Sequence, residues 1–258
     1  MNKCAPIGIF DSGMGGLSVW REVRSLLPHE SLIYLADGKN CPYGDRSEQE
    51  IAALTHKAIG ELVARGAKLI VVACNTATAV AIDALREEYE IPFVGMEPAV
   101  KPAALATRTG TIGILATRAS LAGNLFRATS AKYASGVKIL PVVGEGFVEA
   151  VEEGRESEAS TRELVRRVVE PLIKAGADQI VLGCTHYPFL QEVIEGVIGD
   201  REVGVANPAG AVARRVEWLL EQHDMRAPEE QEASYEFVTF ADEEYLQRIT
   251  SKALSLTK

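Results

Sequence analysis

The chain has 258 residues, 47% of them hydrophobic and 24% charged, with a formal net charge of −9. That length suffices for two compact domains, the composition is ordinary for a globular protein, and the acidic balance without a basic arm argues against a nucleic-acid surface. No apolar run reaches the 18 residues a membrane span needs, and the first strand pattern begins by about Ile7, too early for a signal or transit peptide to precede it. A cytoplasmic protein is expected, in which the four cysteines stay mostly reduced. There is no CxxC pair, and His29, His56, His186 and His223 show no metal spacing, so no metal site is expected.

A strand over residues 6–10 ends in the turn DSGMGG, where Gly13, Gly15 and Gly16 permit a tight reversal and Leu17 opens a helical pattern through Leu27. The spacing is GxGG, not the dinucleotide fingerprint GxGxxG, yet a helix amino terminus there would attract an anionic group such as a carboxylate. Asp11 at this turn has two readings, a helix cap or a catalytic group. A short strand at 31–35 runs into ADGKNCPYGDRS, a loop of turn formers that presents Pro42, Tyr43 and Gly44. Ser47 and Glu50 then make a capping box for a helix whose apolar residues Ile51, Leu54, Ile59, Leu62 and Val63 share a face until Gly66 closes it. The run LIVVA leads to Cys74, and a helix from about Thr78 to Glu88 and a strand at 92–95 follow.

VGMEPAVKPAA, with two prolines, reads as a crossing into a second half. There the alternation repeats: a strand at 111–116, a helix from Ser120, a strand at 137–140, helices near 146–153 and 160–175, and a strand ending at Cys184. Ala-Asn-Pro at 206–208 reads as a second crossing, because the helix containing Val212, Val216, Leu219 and Leu220 and the strand YEFVTF have no counterpart in that half. The expected domains are therefore 1–97 with 208–258, and 98–207. Alternating strands and helices imply mostly parallel sheets.

Two echoes tie the halves together. LIVVACNTAT at 69–78 resembles QIVLGCTHYP at 179–188, and IGIFDSG at 7–13 resembles IGILATR at 112–118, with offsets of about 110 and 105 residues. Each half thus places a cysteine, Cys74 or Cys184, just past a buried parallel strand, at the sheet edge where open α/β folds bind ligands. One cysteine at a strand end is commonly a small hydrophobe. Two at matching positions are harder to explain that way, whereas Cys4 and Cys41 have no such context.

A cysteine acts as base or nucleophile only as thiolate, so its neighbours matter, and Asp11 and His186 stand where they could assist the two thiols. Hydrolysis or acyl transfer needs one such cysteine; moving a proton from one face of a carbon to the other uses two opposed acid–base groups. The pair favours the second chemistry. A binding module with a cleft between two lobes would account for the repeat but not for the thiols.

FDSGMGGLSV, CPYGDRS, VVACNTATA, VGMEPAVKPA, ILAT and LGCTHYPFL, in order from residue 10 to 190, resemble the motif set of the glutamate racemases. The resemblance implies an α/β fold of two pseudosymmetric domains, each a mostly parallel sheet flanked by helices, with the active site in the cleft between them. It implies cofactor-independent interconversion of L- and D-glutamate by two bases, Cys74 and Cys184, supplying D-glutamate for peptidoglycan. Carried over by motif, Asp11 and Ser12 fall beside Cys74, with His186 and Glu152 near Cys184. Tyr43, Gly44, Asn75, Thr76, Thr117 and Thr185 fall on substrate-contacting positions, as do Asp11, Ser12 and His186. The chain departs from the pattern at Ser120, where many relatives have Thr, and at VVGEGFVEA, where Cys-Pro is common. The implied partners are glutamate and a second copy in a homodimer, with no cofactor and no metal. Some relatives carry an amino-terminal extension linked to regulation by a cell-wall precursor or to gyrase binding; with six residues before its first strand, this chain is expected to show neither. An aspartate racemase and a single-thiol cysteine hydrolase are the alternatives.

Overall fold

The computed structural model describes residues 2–97, 99–133 and 135–256. The strands in chain order are β1 (Ile7–Asp11), β2 (Leu32–Ala36), β3 (Leu69–Val72), β4 (Phe93–Gly95), β5 (Thr111–Ala116), β6 (Lys138–Val143), β7 (Gln179–Gly183), β8 (Gly204–Ala206) and β9 (Tyr235–Thr239). The helices are α1 (Leu17–Leu26), α2 (Glu48–Ala64), α3 (Asn75–Glu88), α4 (Val100–Ala106), α5 (Arg118–Ala122), α6 (Asn124–Tyr133), α7 (Phe147–Glu152), α8 (Ala159–Lys174), α9 (Gln191–Ile198), α10 (Ala209–Gln222) and α11 (Glu243–Ser255). Among the described residues no helix is long and apolar enough to cross a membrane. The chain divides into two units, one running to Met96 and resuming at Ala209, the other spanning Glu97–Pro208.

The first unit is built on a parallel sheet in the order β4-β3-β1-β2-β9. Every residue of β1, β2 and β3 is buried, which explains why these strands read as unbroken apolar runs instead of alternating ones. The capping box of α2 forms as its sequence requires: the Glu50 N–H donates to Ser47 Oγ at 3.3 Å and the Ser47 N–H to Glu50 Oε2 at 3.1 Å. Gly66, at φ +81, provides the left-handed residue that ends it. The chain's last strand, β9, lies against β2 in parallel and is packed by aromatic rings. Trp20 of α1 meets Tyr235 edge-on at 5.5 Å and Phe237 at 5.6 Å.

The second unit repeats this plan with one strand fewer, in the order β6-β5-β7-β8, again all parallel. The echoes seen in sequence are echoes of register. Ile7 pairs with Leu69 in the first sheet, and their partners in the echo, Ile112 and Gln179, pair in the second. The edge strand β6 runs to Val143, beyond the expected end at residue 140; Pro141 is tolerated because an edge strand has one side free of ladder bonds. The unit boundary at Met96 and Glu97 falls within the segment read as a crossing, which also contains the start of α4, and one expectation is corrected: α3 starts at Asn75, not Thr78, because Cys74 itself caps it.

Candidate active site

In the first sheet, β2 lies on one side of β1 and β3 on the other, so the chain reverses winding direction between β1 and β3 and leaves a crevice at their carboxyl ends. Asp11 closes β1 and is fully buried, its Oδ2 accepting the N–H groups of Gly13 and Gly16, each at 3.1 Å. The carboxylate thus holds the turn that leads into α1, whose cap residue is Gly16, and lies at the amino end of that helix, where a negative charge is favoured. Cys74, past β3 and 4% exposed, has its Sγ 3.5 Å from Ser12 Oγ and 3.5 Å from the Ala77 N–H it accepts. A cysteine at the amino end of a helix is placed where negative charge on sulfur is stabilised. Thr76 is buried one turn-step along α3, next to Asn75. Asn75 is 5% exposed, and neither atom of its side-chain amide meets a hydrogen-bond partner among the described residues. Leaving such groups unpaired costs about 1–3 kcal/mol each, so a polar ligand would restore what folding gives up here.

The loop after β2 completes this half. Tyr43 O–H donates to Asp37 Oδ2 at 2.7 Å, and Asn40 Nδ2 donates to both oxygens of Asp37 at 2.9 and 3.0 Å. Burial first, and then the Asp37 carboxylate, pushes the Tyr43 phenol well above its ordinary range, so it remains a donor. The main-chain N–H of Asp37 in turn donates to the Asp11 carbonyl at 3.0 Å. Gly44, half-buried, follows Tyr43. Asp37 escaped the sequence reading; the Asp-Gly pair looked like a turn signal, and only the folded loop shows its carboxylate turned inward.

In the second sheet the equivalent reversal falls between β5 and β7. Thr117, after β5, caps α5 by accepting the Ser120 N–H at 3.2 Å, and it donates to Ser120 Oγ at 2.9 Å. Cys184 follows β7 directly, 7% exposed, with Thr185 and His186 buried beside it in the chain. His186 Nδ1 lies 3.8 Å from Cys184 Sγ, and its Nε2 lies 2.6 Å from Glu152 Oε1 at the end of α7. With the carboxylate accepting from Nε2–H, the network assigns Nδ1 its lone pair, facing the thiol. Tyr187 closes the back of this half, edge-on to Phe147 at 5.2 Å and donating to the Gly144 carbonyl at 3.4 Å. Burial, followed by the neighbouring Cys184, holds its phenol well above the usual range.

The expected residues thus gather as Asp11, Ser12, Cys74 and Tyr43 in one unit and as Glu152, Cys184 and His186 in the other. The backbone frame repeats while the chemistry around each sulfur differs, a hydroxyl next in the chain to the buried Asp11 on one side and an imidazole–carboxylate pair on the other. Fold and site together define a class, a parallel α/β protein of two repeated units that each carry a buried thiol just past a central strand, one beside a serine hydroxyl and the other beside an imidazole–carboxylate pair.

The chain belongs to the Asp/Glu/Hydantoin racemase family, whose sequence profile matches residues 17–216. It is 50% identical over 247 residues to the glutamate racemase of Herpetosiphon aurantiacus, a match covering 96% of this chain and 97% of that one. Among solved structures, an isoform of glutamate racemase from Bacillus anthracis superposes with a TM-score of 0.88 at 30% identity, covering 98% of this chain and 95% of the other. The Escherichia coli glutamate racemase, in complex with L-glutamate and the activator UDP-MurNAc-Ala, gives a TM-score of 0.85 at 35% identity, covering 96% and 95%.

Proposed function

We propose that this protein interconverts L- and D-glutamate without a cofactor, using Cys74 and Cys184 as the two bases. The observation that carries the reading is the pair of buried thiols at equivalent strand ends, each with a different proton-handling neighbour. The Cys74 thiolate takes the α-proton of D-glutamate, which leaves a carbanion at the α-carbon. The Cys184 thiol then delivers its proton to the opposite face, giving L-glutamate and a Cys184 thiolate. The reverse reaction begins from that state. Between turnovers His186, aligned by Glu152, takes the Cys184 proton and returns it, Asp11 does so for Cys74, and the Ser12 hydroxyl hydrogen-bonds the Cys74 sulfur. The amide of Asn75, without a hydrogen-bond partner among the described residues, is a donor suited to a substrate carboxylate, and Tyr43, whose O–H is held by Asp37, lines the substrate positions with Gly44, Thr76, Thr117 and Thr185.

A two-thiol reading sets a strict test. One base cannot deliver a proton to the far face, so Cys74→Ala and Cys184→Ala should each abolish racemisation. Each variant should still exchange, slowly, the α-hydrogen of a single enantiomer with deuterium oxide: D-glutamate with Cys74 alone, L-glutamate with Cys184 alone. The assay runs in chelator without pyridoxal phosphate, with aspartate as competing substrate. Near wild-type racemisation by either variant would defeat the mechanism.

The line Cys184–His186–Glu152 is also one a single-thiol hydrolase could use, and in that case Cys74→Ala would leave activity intact. Discriminating aspartate from glutamate by one methylene is worth only about 1–3 kcal/mol, so the competition assay addresses that alternative directly. We place the enzyme in the cytoplasm as a homodimer, supplying D-glutamate to peptidoglycan synthesis.

A further inference from the structure

Tyr34 stands in the middle of β2, fully buried in a strand whose other members are Leu, Ile and Ala. Its neighbours in register are Ile9 and Phe237, and its ring lies 6.3 Å from that of Phe237. Phenylalanine would fill this space as well without burying a polar group, which makes the hydroxyl the feature to explain. That hydroxyl donates to the Gly13 carbonyl at 2.6 Å. Gly13 is also the residue whose N–H reaches Asp11 Oδ2, and Gly16, whose N–H reaches the same oxygen, packs against both groups. A methyl group on Gly16 would come within 2.6 Å of Asp11 Cβ and 2.9 Å of the Tyr34 hydroxyl.

We propose that the Tyr34 hydroxyl is the positioning group for Asp11: by holding the Gly13 carbonyl it fixes the 11–16 turn so that two backbone N–H groups converge on one carboxylate oxygen beside the Ser12–Cys74 pair. Tyr34 does not touch the reacting atoms. Its effect reaches the chemistry through Asp11, and it rests on the assignment of Asp11 to the Cys74 side under the proposed function. Proton transfer at Cys74 is therefore the step it controls.

The equilibrium constant between enantiomers is one, so any loss in kcat/KM must be the same in both directions. The side of the effect appears in isotope effects. Tyr34→Phe keeps the ring and removes one buried hydrogen bond, and kcat/KM should fall about 3- to 10-fold. The α-deuterium isotope effect should rise for D-glutamate, whose proton leaves to Cys74, and fall for L-glutamate, whose first step at Cys184 becomes less limiting. Gly16→Ala, which displaces both groups, should shift the two isotope effects in the same senses. In an Asp11→Asn background, Tyr34→Phe should add little. A merely structural hydroxyl would lower the folded fraction and so the rate, leaving both isotope effects at wild-type values and the two substitutions additive; that result overturns the proposal. If the wild-type protein shows no racemisation at all, the functional reading has failed instead.

Discussion

Glu152 gives the clearest case of a residue whose weight lies in one contact. Its carboxylate, half-buried, meets His186 Nε2 at 2.6 Å, and His186 is 2% exposed, so an imidazole that took a proton from Cys184, as proposed, would have little water to support it. Glu152→Gln preserves shape and an acceptor oxygen but removes the charge. Losing a charge-assisted hydrogen bond is worth about 1.5–3 kcal/mol, so kcat/KM should fall about 10- to 100-fold, with the α-deuterium isotope effect rising for L-glutamate and falling for D-glutamate. An unchanged isotope effect on L-glutamate would detach Glu152 from the Cys184 step. At this scale the two sulfurs were legible because the chain repeats them in register, and Asp11 and His186 because they stand beside the strand ends. The hydroxyl of Tyr34 and the carboxylate of Asp37 were not. Each acts on a group remote in sequence or folded back by a loop, Gly13 for one and Tyr43 for the other, and such a contact has no period or spacing to betray it.

Among the elements, α3 shows how a functional residue disguises a boundary. Its first turn, Asn-Thr-Ala-Thr, is poor in strong helix formers, and its cap is a cysteine and not one of the usual Ser, Thr, Asp or Asn, so the sequence places the start too late. The same feature gives the Cys74 sulfur its helix-end setting. The opposite situation holds for α2, where the standard capping box stands on the page and in the fold alike. Between α1 and β9 the joint is aromatic: Trp20, 1% exposed, packs on Tyr235 and Phe237, and the Arg24 guanidinium lies 5.1 Å from the Tyr235 ring centre. Removing the indole leaves a cavity under the edge strand, and Trp20→Ala should cost about 3–5 kcal/mol by urea denaturation. Amides of β9 should lose protection against hydrogen exchange before those of β1, because β9 has a strand neighbour on one side alone. Equal loss at β1 and β9 would mean that the aromatic joint holds the whole sheet, not its edge.

For the molecule as a whole, the repeat explains why so much of the architecture could be read in advance: two parallel sheets with the same central order impose the same run lengths twice. What the repeat could not reveal are the ties made once only, at the amino ends of the strands, far from the thiols. Asp178 is one. At the start of β7 its carboxylate accepts from Thr107 Oγ1 at 2.5 Å and from the N–H groups of Arg108 and Thr109 at 2.6 and 3.0 Å, binding the segment after α4 to the sheet. Burial works against the charged form here, but these hydrogen bonds outweigh it and hold the carboxyl below its ordinary range. A carboxyl depressed in the folded state stabilises the fold fully above its unfolded value, about 3.9, and the contribution disappears as pH falls through the lower, folded value. Wild type should therefore exceed Asp178→Asn in urea midpoint from neutral pH down to about pH 4, and the gap should narrow as acid protonates the native carboxyl. Acid also titrates the other carboxylates, carrying the chain from a net charge of −9 through an isoelectric point of about 5.1 to net positive charge in both proteins alike, so the difference between the two midpoints isolates Asp178. A gap that stays constant from pH 7 to pH 3 would show that the asparagine costs shape rather than charge, and that the carboxylate's titration plays no part in acid stability.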